Sequence, residues 1–135
     1  MIQAVPVTGK RVLVVDDNEN TALLLREEFE DDGYEVQVVR GGEEALSIVA
    51  SDPPDVVVLD INMPGKDGIE TLNDIVNTRG GVPVIVHTAY AAYKENYMTW
   101  AAVDYVVKSA DLVELKNAVE RAIGAGDPHR PVTAT

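Results

Sequence analysis

Short runs of apolar residues alternate along this chain with longer segments whose apolar residues recur every three or four positions. The short runs are rich in valine and end at polar or turn-forming residues. They predict five β-strands, at residues 11–15, 35–39, 56–59, 82–88 and 104–107. Because strands that alternate with helical segments form βαβ units, the chain is predicted to be an α/β protein with a parallel sheet.

The helical segments are recognised by apolar stripes that can cover the sheet. The stripes of four segments are Ala22, Leu25 and Phe29; Ala45, Ile48 and Val49; Ile69, Leu72, Ile75 and Val76; and Leu112, Leu115, Val119 and Ala122. Asp111 and Glu114 have the spacing of a capping box at the start of the last helix. A further helix, the fourth in chain order, is predicted at residues 91–100, where the stripe consists of Tyr93, Tyr97 and Trp100.

Composition restricts the classes of protein to which the chain can belong. Its 135 residues, 46% of them hydrophobic, suffice for one domain, which we predict at residues 11–123 between tails at 1–10 and 124–135. The absence of cysteine excludes disulfides and thiolate metal sites. A formal charge of −12 disfavours direct binding to nucleic acid or to an anionic membrane. With no signal peptide or spanning segment in the sequence, we expect a cytoplasmic protein.

Polar side chains follow the predicted strands at one end of the sheet. Asp16 and Asp17 come after the first strand and Asp60 after the third, while Thr88 ends the fourth and Lys108 follows the fifth. In a parallel sheet these ends meet at the edge where ligands bind. Carboxylates about 4 Å apart repel by roughly 4 kcal/mol at an effective dielectric of about 20. We therefore expect a cation beside Lys108, and Mg²⁺ suits such a set of oxygens.

This combination of groups fits phosphoryl transfer to a carboxylate. The carboxylate would attack phosphorus, while the metal and the lysine would neutralise charge on the phosphoryl oxygens. Each group also has a simpler interpretation: aspartates cap turns and helix starts, lysine is solvated, and threonine favours strands. Position favours the functional interpretation, because four strands contribute polar groups at the same end while their interiors stay apolar.

At these residues the chain resembles the receiver domain of two-component response regulators. The motifs that carry the resemblance are Val-Val-Asp16-Asp17, Asp60-Ile-Asn62-Met63-Pro64-Gly65, Thr88-Ala89 and Tyr105-Val-Val-Lys108. The resemblance extends over residues 11–123. It implies a doubly wound (βα)5 flavodoxin-like sandwich, with a five-stranded parallel sheet of order 2-1-3-4-5.

The resemblance also implies a role for each site residue, with Asp60 as the phosphoacceptor. The implied Mg²⁺ ligands are Asp16, acting mostly through water, Asp17, Asp60, and the backbone carbonyl of Asn62. The residues implied to bind the phosphoryl group are Thr88, Ala89 and Lys108. The implied switch residues are Thr88 and Tyr105.

By the same resemblance the chain is a regulatory switch rather than an enzyme, with only slow autodephosphorylation. A histidine kinase or a phosphotransfer protein would donate the phosphoryl group in a phosphorelay. The resulting aspartyl phosphate would change the face formed by the fourth predicted helix, the fifth strand and the last helix. That face would bind a downstream protein, and homodimerisation on phosphorylation is a further implied outcome.

Other interpretations differ in how well they fit the sequence. A haloacid-dehalogenase phosphatase needs an acid two residues after its nucleophile, and Asn62 cannot serve. A flavodoxin-like nucleotide site would place phosphate against Asp16 and Asp17, which repel it. The alternative that stays open is a receiver that acts as an interaction scaffold without phosphorylation. Ser109 stands where the family usually has proline after the lysine, so the Lys108–Ser109 peptide is either trans in a rebuilt loop or a strained cis bond.

Overall fold

The five predicted strands form one parallel sheet in the computed structural model, which describes residues 9–61, 68–78, 82–89 and 102–125. The strands are β1 (Arg11–Val15), β2 (Glu35–Val39), β3 (Val56–Leu59), β4 (Val84–Thr88) and β5 (Asp104–Val107). They lie in the order β2-β1-β3-β4-β5, and every neighbouring pair is parallel. The predicted sheet type and strand order are confirmed.

Four helices occur in the described part of the chain. They are α1 (Glu19–Asp31), α2 (Gly42–Ser51), α3 (Gly68–Thr78) and α4 (Val113–Ala125). The predicted helix at residues 91–100, and residues 1–8 and 126–135 of the predicted tails, lie outside the described residues. Among the described helices, none combines the length and the apolar character needed to cross a bilayer.

The helices cover the sheet from both faces, as a doubly wound fold requires. One face packs against α2 and α3, whose buried residues include Ala45, Val49, Leu72 and Ile75. The opposite face packs against α1 and α4, whose buried residues include Leu25, Phe29, Leu115, Ala118 and Val119. The predicted stripes are therefore the core-facing surfaces of the described helices, although Ile48, Val76, Leu112 and Ala122 are only partly buried. The side chain of Ile69 lies outside the described part of the chain.

Strand β4 begins two residues later than predicted. The apolar run was expected to pair from residue 82, but the strand starts at Val84. Pro83 interrupts the run because it has no backbone N–H to give to a neighbouring strand. Its carbonyl still accepts a hydrogen bond from Val57 N–H at 3.0 Å. Pro83 therefore contributes an acceptor to the neighbouring strand but no donor.

The strand register brings the ends of β1 and β3 to one level, and β4 and β5 end two residues further on. Val15 pairs with Leu59, Leu59 pairs with Val86, and Thr88 pairs with Val107. The residue that follows each strand therefore emerges at the same edge of the sheet, which is the edge where open α/β sheets bind their ligands.

Candidate functional site at the carboxyl edge of the sheet

Backbone hydrogen bonds extend the sheet by one residue and so hold the predicted site residues in place. Three of these residues, Asp16, Asp60 and Lys108, donate their N–H to the strand beside them, which fixes each Cα before any side-chain contact is made. The bonds run from Asp16 to Val39 O at 3.0 Å, from Asp60 to Val15 O at 2.9 Å, and from Lys108 to Thr88 O at 2.7 Å.

The side chains of Asp16, Asp17 and Asp60 converge at this edge. Each offers a carboxylate oxygen that lies within 4.8 Å of the others. Asp16 and Asp60 are buried, with 2% and 5% of their surface exposed, whereas Asp17 is partly exposed. The prediction that these carboxylates come together is confirmed.

Lys108 links two of the carboxylates. Its Nζ lies 3.0 Å from Asp60 Oδ2, with hydrogen-bond geometry. The same nitrogen lies 3.0 Å from Asp16 Oδ2, but this contact is an ion pair without hydrogen-bond alignment, so the buried Asp16 Oδ2 lacks an aligned donor. The Lys108 ammonium therefore contacts two carboxylates but is aligned to donate a hydrogen bond to only one of them.

The environment of Asp16 disfavours its charge. Burial raises the pKa of the Asp16 carboxyl, and the nearby charge of Asp60 acts in the same direction. The backbone N–H of Asn18, which donates to Asp16 Oδ1 at 2.8 Å, and Lys108 oppose this rise without cancelling it. Burial by itself would lower the pKa of Lys108, but its bonds to Asp60 and Asp16 outweigh burial and raise it. The cluster thus carries more negative charge than Lys108 neutralises.

These residues fit a divalent cation. The three oxygens are hard ligands of the kind that Mg²⁺ prefers, and three protein ligands leave positions of an octahedral ion for waters. Asp16 Oδ2, buried and without an aligned donor, is an acceptor that a cation would satisfy. Asn62, the fourth predicted ligand, lies outside the described residues.

Thr88, Ala89 and Tyr105, predicted as phosphoryl-binding or switch residues, lie on or directly after β4 and β5. Thr88 is fully buried at the end of β4, and Ala89 after it is exposed. Tyr105 is buried in the cluster of side chains that packs against α2 and α3. Since side chains alternate along a strand, Thr88 shares this face with Val86, which belongs to the same cluster. Thr88 and Tyr105 therefore lie on one face of neighbouring strands, as a coupled pair requires.

Asn18 is a site residue that sequence reasoning missed. Its side-chain Oδ1 accepts from Thr21 N–H at 3.0 Å and caps α1, while its own N–H holds Asp16 Oδ1. The signal was available, because asparagine directly before a helical segment is a favoured N-cap. Asn18 thus fixes both the start of α1 and the direction of a site carboxylate.

His87, to which the sequence assigned no role, is buried beside the site. It has 3% of its surface exposed, and its Nδ1 has no hydrogen-bond partner among the described residues. Strand alternation places it on the same face of β4 as Ile85, which packs towards α1 and α4. Burial lowers the pKa of His87 to about 4, and the charge of Lys108 adds to this against the opposing charge of Asp60.

We expect His87→Leu to reduce the loss of folding stability that occurs as the pH falls below about 6.5. The pKa is about 4 in the folded chain, against an ordinary 6.5. Between these values the unfolded chain binds more protons, so wild-type stability falls as the pH drops from about 6.5 towards about 4. From about pH 7 to about pH 5 the loss due to His87 is roughly 2 kcal/mol. Urea unfolding at both pH values measures it.

The control for this experiment is His129→Ala, which removes the other histidine of the chain. This variant is expected to keep the wild-type pH dependence. A His87→Leu protein that loses as much stability as the wild type over the same interval would contradict the assignment of the acid sensitivity to His87.

The loop after Lys108 differs from the family pattern in sequence and is built with an ordinary backbone. No cis peptide bond occurs among the described residues, so the Lys108–Ser109 bond is trans. Ser109 Oγ accepts from Asp111 N–H at 3.1 Å, and Asp111 Oδ1 accepts from Val113 N–H at 2.9 Å. Asp111 therefore caps α4, but the partner of its own N–H is Ser109 in place of the Glu114 carboxylate that the capping-box prediction required.

Known proteins resemble this chain in both sequence and structure. The family model of the response regulator receiver domain matches residues 12–120. The regulatory protein AtoC of Escherichia coli strain K12 is 39% identical over 115 residues, which are 84% of this chain and 25% of AtoC. The chain therefore spans about a quarter of the length of that relative.

Two solved structures contain TrrA, a response regulator of Thermotoga maritima. In its complex with Mg²⁺-BeF, TrrA is 43% identical to this chain with a TM-score of 0.79, and the match covers 84% of this chain and 98% of TrrA. In its complex with the histidine kinase ThkA, TrrA matches with the same identity and coverage and a TM-score of 0.78. On the family match, the sequence identity and the shared sheet order, this chain belongs to the family of response regulator receiver domains.

Proposed function

We propose that this receiver domain accepts a phosphoryl group on Asp60 from a histidine kinase or a phosphotransfer protein, in a Mg²⁺-dependent reaction. The observation that carries the proposal is the arrangement around Asp60, which is buried between a second carboxylate and an ammonium 3.0 Å away. The complexes of TrrA with Mg²⁺-BeF and with ThkA support the proposed metal and partner.

The proposed transfer forms one bond and breaks another. An Asp60 carboxylate oxygen attacks phosphorus, the P–N bond of the donor phosphohistidine breaks, and the imidazole leaves. The Lys108 ammonium, which contacts Asp60 Oδ2, would pair with a phosphoryl oxygen and stabilise the charge that shifts onto it. Thr88 would donate a hydrogen bond to another oxygen, and the small Ala89 would leave space for the donor.

The proposed metal ligands are Asp16, Asp17, Asp60 and the backbone carbonyl of Asn62. When bound, Mg²⁺ would offset the repulsion between the carboxylates and the incoming phosphate. Asp16 is held for this task by Asn18, whose N–H occupies Oδ1 and leaves Oδ2 towards the cluster. The pairing of Lys108 with Asp60 sets the phosphoacceptor oxygen at a defined position before the donor arrives.

The signal would leave the site through Thr88 and Tyr105. A phosphoryl group adds close to two negative charges and strong acceptors, which would draw Thr88 and Lys108 towards it. Tyr105 lies on the face of Thr88 and is buried with 2% of its surface exposed, so a shift of Thr88 changes the space beside the ring. The output face would comprise β5, α4 and the predicted helix at residues 91–100, and it would bind a downstream protein or a second copy of the chain.

The domain is a regulatory signalling domain, and we propose that it releases the phosphoryl group only slowly. Within the proposal the receiver comprises residues 11–123, the flanking segments at 1–10 and 124–135 are tails, and the location is the cytoplasm. The alternative is a receiver that binds its partner whether or not Asp60 is modified. Ser109 favours keeping this alternative, because it departs from the family pattern directly beside Lys108.

The experiment that tests the proposal is incubation of the wild-type chain with Mg²⁺ and a small acyl phosphate, followed by intact mass measurement. We expect one phosphoryl adduct, formed only with the metal present. Borohydride reduction of the acyl phosphate followed by peptide mapping should place it on Asp60. Absence of an adduct, or an adduct on another residue, would reject the phosphoacceptor role and favour the scaffold.

Asp16→Asn is expected to raise the stability of the metal-free chain and to weaken its stabilisation by Mg²⁺. Without Mg²⁺ the variant should melt at a higher temperature than the wild type, because it removes a buried carboxylate whose charge the fold disfavours. At about one hundred times the dissociation constant, Mg²⁺ should stabilise the wild type by about 2.7 kcal/mol and the variant by far less. Thermal melts with and without Mg²⁺ measure both effects, and an unchanged metal response in the variant would exclude Asp16 from the site.

A further inference from the structure

The turn between Lys108 and α4 is organised by two side chains, Ser109 and Asp111. Ser109 Oγ accepts from Asp111 N–H at 3.1 Å, and Asp111 Oδ1 accepts from Val113 N–H at 2.9 Å. Val113 is the first residue of α4. Consecutive side-chain bonds therefore connect the residue after Lys108 to the helix, where water would otherwise compete for the same backbone groups.

The helix to which this turn is attached is itself fixed to the rest of the fold. Lys116 pairs with Glu28 at 2.8 Å and with Asp32 at 3.3 Å, which ties α4 to α1. Arg121 pairs with Asp104 at 2.7 Å, which ties α4 to the start of β5. The first turn of α4 is thus a stable point from which the Ser109 turn can position its neighbour.

On its other side Lys108 is anchored to the sheet. Its N–H donates to Thr88 O at 2.7 Å, the last bond between β4 and β5. The backbone of Lys108 is therefore held from both directions. This matters because a lysine side chain has several rotatable bonds, and keeping Nζ 3.0 Å from both Asp16 and Asp60 restricts all of them. A fixed backbone reduces the conformational entropy that is lost when Nζ is held in this place.

We propose that Ser109 is a positioning residue, whose hydroxyl sets the path of the chain after β5 and thereby holds the Lys108 ammonium between Asp16 and Asp60. Ser109 acts through Lys108 and makes no contact with the transferred group. The inference deepens the proposed function, on which it rests for the kinetic measurement only.

The first test measures the reactivity of the Lys108 amine and needs no phosphorylation. The chain is treated briefly with an amine-acylating reagent, and peptide mass spectrometry gives the labelling rate of Lys108 relative to Lys116. Ser109→Ala is expected to raise this ratio by about fivefold, the factor that one lost hydrogen bond of ordinary strength corresponds to. Ser109→Thr keeps the hydroxyl and is expected to stay within about twofold of wild type.

The matched control is Ser51→Ala. Ser51 Oγ also makes one hydrogen bond at an exposed position, to Ser47 O at 2.8 Å, but it lies at the end of α2. Its loss should leave the labelling ratio unchanged. An unchanged ratio in Ser109→Ala, or an equal rise in Ser51→Ala, would overturn the positioning role.

The second test follows the rate of adduct formation from a small acyl phosphate, which needs no kinase docking. At saturating Mg²⁺, Ser109→Ala should slow it by about three- to tenfold. In a Lys108→Met background the same substitution should have no further effect. Additive losses would overturn the proposal. If the wild type forms no adduct, the proposed function fails while the labelling experiment still decides the role of Ser109.

Discussion

Asp60→Asn is expected to abolish the phosphoryl adduct entirely. The amide lacks the negative charge and the lone-pair basicity that let a carboxylate attack phosphorus. Asp16 is also buried and 3.0 Å from the Lys108 ammonium, but its contact lacks the hydrogen-bond alignment that Asp60 has. The fold should persist, because asparagine fills nearly the same volume and the Asp60 N–H bond to Val15 O belongs to the backbone. Intact mass after incubation with Mg²⁺ and acyl phosphate measures the loss, and circular dichroism verifies folding.

The matched control is Asp55→Asn, at the opposite end of the same strand. Asp55 is an exposed aspartate whose Oδ2 accepts from Arg11 N–H at 2.7 Å, a bond that an asparagine oxygen can keep. This variant should form the adduct as the wild type does. An adduct that survives Asp60→Asn, or one that is lost equally in Asp55→Asn, is incompatible with phosphorylation at Asp60.

Lys108→Met is expected to slow adduct formation by about 10²-fold or more, the usual effect of removing one charge-stabilising donor from a reacting oxygen. Methionine keeps most of the length and the apolar stem, so the change removes mainly the charge. The ammonium is placed to act on the phosphoryl group because it already pairs with Asp60. The measurement is the pseudo-first-order rate of adduct formation at saturating Mg²⁺.

The same substitution should destabilise the metal-free chain, because Asp16 and Asp60 lose their shared cation. Mg²⁺ should restore much of the lost stability by taking over that charge. Lys116→Met is the control: this lysine has a similar exposure and also pairs with two carboxylates, but it joins α4 to α1. A wild-type rate in Lys108→Met, or an equal loss of rate in Lys116→Met, would contradict a direct role for Lys108.

Much of the fold could be predicted because local and global preferences agree. Val56 to Leu59 is an uninterrupted apolar run, and every residue of it is buried. A parallel strand buried on both faces requires such a run, so its limits in sequence and structure coincide. Strand β4 departs from prediction because Pro83 removes a donor, an effect that hydrophobicity does not register.

The sequence predicted which residues form the candidate site but not which of their side chains form ion pairs. A parallel sheet places the residues after its strands at one edge, so the convergence of Asp16, Asp17 and Asp60 follows from the topology. Which carboxylates share the lysine does not follow. Lysine has a long, flexible side chain, and only the packing around it determines that Nζ contacts Asp16 as well as Asp60.

Two residues outside the motifs, His87 and Ser109, also have contacts that the sequence did not predict. His87 looked like an ordinary strand residue, because its burial depends on the helices α1 and α4 that cover its face. Ser109 looked like a departure from the family pattern, and its hydrogen bond to Asp111 became evident only with the turn built. Both depend on neighbours that are distant in sequence or on a turn geometry that several backbone paths could satisfy.

The sequence by itself determined the α/β class, the five strands and the carboxyl edge as the place of the chemistry, because apolar runs, helical periodicity and turn residues act locally along the chain. The tertiary structure decided the contacts. It showed that the Lys108 ammonium contacts two carboxylates, that the Asn18 N–H donates to Asp16, and that the Ser109 hydroxyl accepts from Asp111 N–H in the turn after Lys108. These contacts join separate segments at distances of a few ångströms, which depend on the packing of the whole sheet and its helices.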